Sequence, residues 1–84
     1  MVTLINLKKI NNIIEADYYY ESDSDKLGHI KYDIATGKYL EIKYAEKEDF
    51  ERYGFEYGFG HIEKDLKRLI RHNVFPEKRV ILWY

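Results

Sequence analysis

Residues 28–44, GHIKYDIATGKYLEIKY, constrain what this chain can fold into more than any other stretch. They read as one β-hairpin whose register can be written down. With Ala35-Thr36-Gly37 as a three-residue loop, Gly37 takes the positive φ that the last loop position needs. The facing pairs are then Ile34/Lys38, Tyr32/Leu40, Ile30/Ile42 and Gly28/Tyr44, apolar except at Lys38 and Gly28. The alternate face pairs Asp33/Tyr39, Lys31/Glu41 and His29/Lys43, and is polar. Slipping the register by one residue exchanges the two faces, so the turn and the hydrophobic pattern select the same answer.

A second alternating run precedes the hairpin. Ile14, Ala16, Tyr18 and Tyr20 fall on one face, and Glu15, Asp17, Tyr19 and Glu21 on the other, as in a strand with one buried face. Glu21 to Lys26 is a polar loop, and Asn11-Asn12 has turn chemistry. Residues 2–10 fit two patterns: Leu4, Leu7 and Ile10 at near-helical spacing, or Val2, Leu4 and Asn6 on one side of a strand. From about residue 60 to 72 the period is helical, with Ile62, Leu66, Leu69 and Ile70 in one apolar stripe. Glu63 and Asp65 then fall in the first turns and Lys67, Arg68, Arg71 and His72 in the last, which complements the helix dipole. Asn73 can close this helix, and Pro76 prevents its continuation. Three glycines among the aromatics of residues 53–60 argue against a regular helix there, leaving room for one short turn near 47–53. The ending Arg79–Tyr84, RVILWY, reads as a strand buried on both faces or as a self-association surface.

These elements predict a single α+β domain spanning residues 1–84. It consists of an antiparallel β-meander of three to five strands, one α-helix in the C-terminal half packed on one sheet face, and a final apolar strand. A chain of 84 residues without cysteine must draw its stability from packing, with no disulfide or thiolate–metal support. Nine tyrosines and four phenylalanines supply that core, since their rings pack on half-buried strands while the tyrosine hydroxyls stay wet. Val2–Leu7 is too short for a signal sequence, and its lysines follow rather than precede it. No run approaches a membrane span, so a cytoplasmic protein without membrane contact is expected.

Few constellations carry chemistry. Asp23-Ser24-Asp25-Lys26-Leu27-Gly28 opens like a calcium loop, but Leu27 and Ile34 stand where carboxylates or amides are needed. The glycines at 54, 58 and 60 match no phosphate-binding pattern, and their aromatic neighbours suit packing. No catalytic residues, cofactor or metal ligands are assigned. An acid–base or metal site would need His29 and His61 to converge with Asp17 or Asp65. That happens only if the helix covers the polar hairpin face.

Net charge is −1 but uneven: eight basic and twelve acidic residues before His61, six and three from there on. This is too weak a basic footprint for a nucleic-acid binder. Ile14-Glu15-Ala16-Asp17-Tyr18-Tyr19, Gly28-His29-Ile30, Asp33 and Thr36-Gly37 together resemble a group of small uncharacterised bacterial proteins with an ADYY…GHI…D…TG pattern. No activity attaches to that group. The expectation is a non-catalytic module for a protein partner or a second copy, its apolar C-terminal strand available for association. Its candidate surface comprises His29, Lys31, Glu41, Lys43, Tyr53 and Tyr57 with the helix cations Lys64, Lys67, Arg68 and Arg71. The alternatives are a small enzyme or metal domain and weak nucleic-acid contact through those cations.

Overall fold

The computed structural model describes residues 2–20, 26–45 and 55–82, with the side chains of residues 55–59 outside that description. The strands are β1 (Val2–Ile10), β2 (Ile13–Tyr20), β3 (Gly28–Asp33), β4 (Lys38–Lys43) and β5 (Arg79–Ile81), and helix α1 runs Phe55–His72. They build one antiparallel sheet in the order β4-β3-β2-β1-β5. The first four strands form a meander. The chain then returns through α1 to the far side of β1, so β4 and β5 are the two edges. This is an α+β domain, with α1 the helix of its C-terminal half.

The apolar hairpin face lies under the helix. Ile30 and Tyr32 are buried with Val2, Leu4, Leu7, Ile14, Ala16, Tyr18 and Tyr20 beneath Ile62, Leu66 and Leu69. Residues 2–10 form a strand, and their double pattern has a structural cause. Ile5 faces Asp17 and Lys8 faces Glu15, so Asn6 and Leu7 together oppose one residue, Ala16. Asn6 takes a φ of 53° in this bulge, a conformation that asparagine tolerates better than most residues. The extra residue turns Leu7 inward, and the three-residue step from Leu4 to Leu7 records the bulge.

The hairpin keeps its expected register for His29/Lys43, Ile30/Ile42 and Lys31/Glu41, and departs from it near the loop. Tyr32 faces Tyr39 and Asp33 faces Lys38, which replaces the Tyr32/Leu40, Asp33/Tyr39 and Ile34/Lys38 pairs. The loop is Ile34–Gly37, one residue longer than expected, and a bulge absorbs the difference. The Asp33 carboxylate organises it, accepting hydrogen bonds from the Ala35 N–H (3.0 Å) and the Thr36 hydroxyl (3.1 Å). The Gly37 N–H closes on the Asp33 carbonyl at 2.9 Å, with φ 69° at Gly37. Tyr39 therefore packs edge-on against Tyr32, ring centres 5.3 Å apart, while Leu40 is turned out to solvent.

Helix α1 begins at Phe55, not near residue 60, and includes Gly58 and Gly60. Glycine costs a helix only about 1 kcal/mol per position, and the rest of an 18-residue helix packed on a sheet offsets it. Glu63 and Asp65 consequently lie in mid-helix, away from the first turn. The C-terminus follows the expected chemistry. Asn73 has φ 52°, its N–H bonds the Ile70 carbonyl (3.1 Å), and the Val74 N–H bonds the Leu69 carbonyl (3.2 Å), a Schellman closure. The expected turn near 47–53 and the loop at residues 21–25 lie outside the described residues.

Candidate functional site

Burying one hairpin face leaves the other open, and charged residues populate it in rows. Glu15 faces Lys31, which faces Glu41; Asp17 faces His29, which faces Lys43. His29 is held at both ring nitrogens. Its Nδ1 lies 2.7 Å from Asp17 Oδ1 and its Nε2 lies 2.8 Å from Glu15 Oε1. The second Asp17 oxygen accepts a hydrogen bond from the Asn6 side-chain amide at 3.0 Å. The bulge that turns Leu7 inward thus also delivers Asn6 to the cluster. Hydrogen bonds from Asn6 and His29, with the nearby His29 and Lys8 charges, hold the Asp17 carboxyl below its usual range against a smaller opposing effect of burial. Glu41 lies 4.0 Å from Lys31 and 3.8 Å from Lys43, which completes the ladder.

This cluster limits its own chemistry. Each ring nitrogen of His29 is committed to a different carboxylate. An imidazole engaged at both ends presents no nitrogen to a substrate. The two carboxylates also sit on diverging sides of the ring rather than around one point. Among the described residues no group of three or more His, Cys, Asp or Glu side chains is arranged to hold a metal ion. His61 is not part of this cluster. It belongs to α1 on the covered side, beside β5, three strands from β3 or roughly 14 Å at ordinary strand spacing. The convergence of His29 with His61 therefore does not occur.

The second polar assembly ties the helix to the last strand. Asp65, 6% exposed, takes both arms of Arg79 in a fork: Nε to Oδ2 at 2.9 Å and a terminal nitrogen to Oδ1 at 3.0 Å. Arg68 approaches the same carboxylate at 4.0 Å, and Asp65 raises the Arg79 pKa by hydrogen bonding and charge. A hollow of about 460 Å³ opens above this fork, lined by His61, Lys64, Arg68, Arg79 and the run Val80–Leu82. The final strand is not buried on both faces. β5 spans three residues at the sheet edge; Ile81 is buried, while Val80 and Leu82 are 47% and 55% exposed. Trp83 and Tyr84 lie outside the described residues.

The candidate surface thus divides in two. His29, Lys31, Glu41 and Lys43 lie together on the open sheet face. Lys64, Lys67, Arg68 and Arg71 belong to α1 on the other side of the sheet, where Lys67 pairs with Glu63 at 3.1 Å. Tyr53 and the Tyr57 side chain are outside the described residues. Asn6 and Glu15 are absent from the expected surface, whereas Val80 and Leu82 belong to the apolar C-terminal run already expected to associate. Glu15 follows from counting β2 against β3 through their alternation, and Asn6 from the three-residue step. No helix among the described residues is long and apolar enough to cross a membrane. Comparison with protein-family models, curated proteins and solved structures finds no match for this chain.

Proposed function

We propose that this chain is a non-catalytic, cytoplasmic protein-interaction module that docks a protein partner or a second copy along the β5 edge. The observation that carries this reading is the contrast between the two sheet edges. The β4 edge is guarded: a bulge interrupts it, and Lys38, Glu41 and Lys43 lie around the exposed Leu40 and Tyr44. The β5 edge is short, three residues, and its one cation Arg79 is turned to Asp65 rather than to the open face. Its outward side chains Val80 and Leu82 are apolar, and it borders a hollow wide enough for a side chain or two.

The charged open face supports the same reading by elimination. Its cations and anions satisfy one another and leave little residual potential for a ligand. Among the helix cations Lys67 is paired with Glu63, which weakens a nucleic-acid interpretation. A photo-reactive residue placed at Leu82, with a second protein labelled at Leu40 as control, tests the proposal when each is irradiated in a native lysate beside a sedimentation series. Adducts or dimers specific to position 82 are expected. A strict monomer giving equal yields at both positions would remove the reading.

A further inference from the structure

The β5 edge and the helix beside it also specify which partner fits. Resting on the docking role of β5, we infer that its occupant is an acidic, extended peptide segment of another protein, added as a sixth strand, and not a second copy of this chain. The hollow carries three cationic side chains, Lys64, Arg68 and Arg79, against one carboxylate, Asp65. That carboxylate is already forked by Arg79 at 2.9 and 3.0 Å and approached by Arg68, so the rim stays positive towards whatever lies along β5. Lys64 is exposed and the Arg68 side chain is 53% exposed, so both can reach a ligand.

The same rim opposes self-pairing. Two copies joined antiparallel through β5 would be related by a two-fold axis perpendicular to the sheet, placing both helices on the same face. Each copy's Lys64 and Arg68 would then confront those of the other across the seam, and like charges there are repulsive. An added strand bearing Asp or Glu on its helix-side face, alternating with apolar residues, meets the cations with carboxylates. Its opposite face lies beside Val80 and Leu82. Main-chain bonding to β5 supplies the common attraction, and the charges select the partner.

The test is nuclear magnetic resonance titration of the full chain with two ten-residue peptides of alternating Val/Thr and charged residues. One carries Glu and the other Lys at the charged positions. The Glu peptide is expected to shift the amides of residues 64–68 and 79–82, and to bind at least tenfold more weakly when salt is raised from 0.05 to 0.5 M. Lys64→Glu, an exposed change, should weaken it several-fold, and Lys64→Glu with Arg68→Glu roughly tenfold or more. A thermal melt establishes that each variant is folded. Equal binding of the two peptides at β5, or a β5-mediated dimer in sedimentation, would overturn the acidic-partner inference and leave edge docking standing. Shifts confined to Lys38–Lys43, or none with either peptide, would overturn both.

Discussion

Gly28 is predicted to be the least replaceable glycine of the described residues. Its backbone has no positive φ, so the requirement is for space and not for conformation. A Cβ at this position would stand 2.2 and 2.3 Å from two ring carbons of Tyr18, its partner across β2 and β3, and 2.7 Å from the Lys43 carbonyl oxygen. Carbon atoms in contact need about 3.5–4.0 Å, so the ring or the strand must shift by more than 1 Å. Neither can do so cheaply. The Tyr18 ring is fully buried, packs edge-on against Tyr20 at 5.8 Å, and its hydroxyl accepts the Ala45 N–H at 3.2 Å. Overpacking costs about 1–3 kcal/mol and loss of that hydrogen bond about 1 kcal/mol. Gly28→Ala should therefore destabilise by about 3 kcal/mol. For a domain of this size, with total stability of about 4–13 kcal/mol, that lowers Tm by roughly 12–24 °C. Urea denaturation followed by tyrosine fluorescence measures it. Tyr18→Leu introduced into the Gly28→Ala variant should cost at least about 1 kcal/mol less than the same change costs in the wild type, because the smaller side chain relieves the clash. A Gly28→Ala cost below about 0.5 kcal/mol, or strict additivity with Tyr18→Leu, would refute the argument.

Gly60 is the opposite case: an added Cβ meets nothing within 4 Å in mid-helix, so Gly60→Ala should stabilise by about 0.5–1 kcal/mol in the same urea assay. Arg79→Met strips the fork from a nearly buried carboxylate and should cost about 2–3 kcal/mol, while Asp65→Leu with Arg79→Met should recover much of that loss. Asn73→Ala should cost about 1 kcal/mol through the strained φ at the Schellman position, with Asn73→Gly neutral or stabilising, both read as Tm. Asp17 ionises more readily folded than unfolded, so its contribution is fully present above its ordinary value of 3.8 and is lost as pH falls through the lower folded value. The stability gap between wild type and Asp17→Asn, measured by urea denaturation from pH 7 to pH 2.5, should thus be widest near neutrality and close below pH 3.8.

What the sequence reveals and conceals follows from the length scale of each cause. The alternation in residues 14–20 and 29–32, the stripe Ile62–Leu66–Leu69 and the Asn73 closure are local effects, and each is legible. Their agreement correctly puts Ile30 and Tyr32 beneath the helix. The bulges at Asn6 and beside Leu40 are also local, but a bulge changes a period of two into an irregular step that resembles helical spacing or a shorter loop. Tyr39 and Leu40 show the consequence: both are apolar, and only the four-residue turn built on Asp33 decides which one goes inward. Gly58 and Gly60 mislead in the other direction, since tertiary packing overrides a weak propensity. The Asp65–Arg79 fork joins residues 14 apart in sequence across two elements, and no short-range pattern announces it.

Those non-local placements move the functional question from the hairpin to the last strand. The hairpin's polar face attracts notice because it gathers His29 with several charged neighbours, yet each charge there has a partner of opposite sign. His29 engages both nitrogens, Asp17 both oxygens, and Glu41 lies near two lysines. Mutually satisfied charges on an open sheet face resist face-to-face stacking, a structural task that needs no ligand. At β5 the balance differs. Asp65 is enclosed and must be neutralised, Arg79 does so from the strand, and the surrounding cations exceed the available carboxylates. The interaction that fastens the helix to the last strand therefore also leaves positive potential beside an exposed apolar edge. Arg79→Met should consequently do two things at once, loosening β5 from the helix and weakening the acidic peptide. Lys64→Glu should do only the second, and that difference separates the fold's need for this corner from its use.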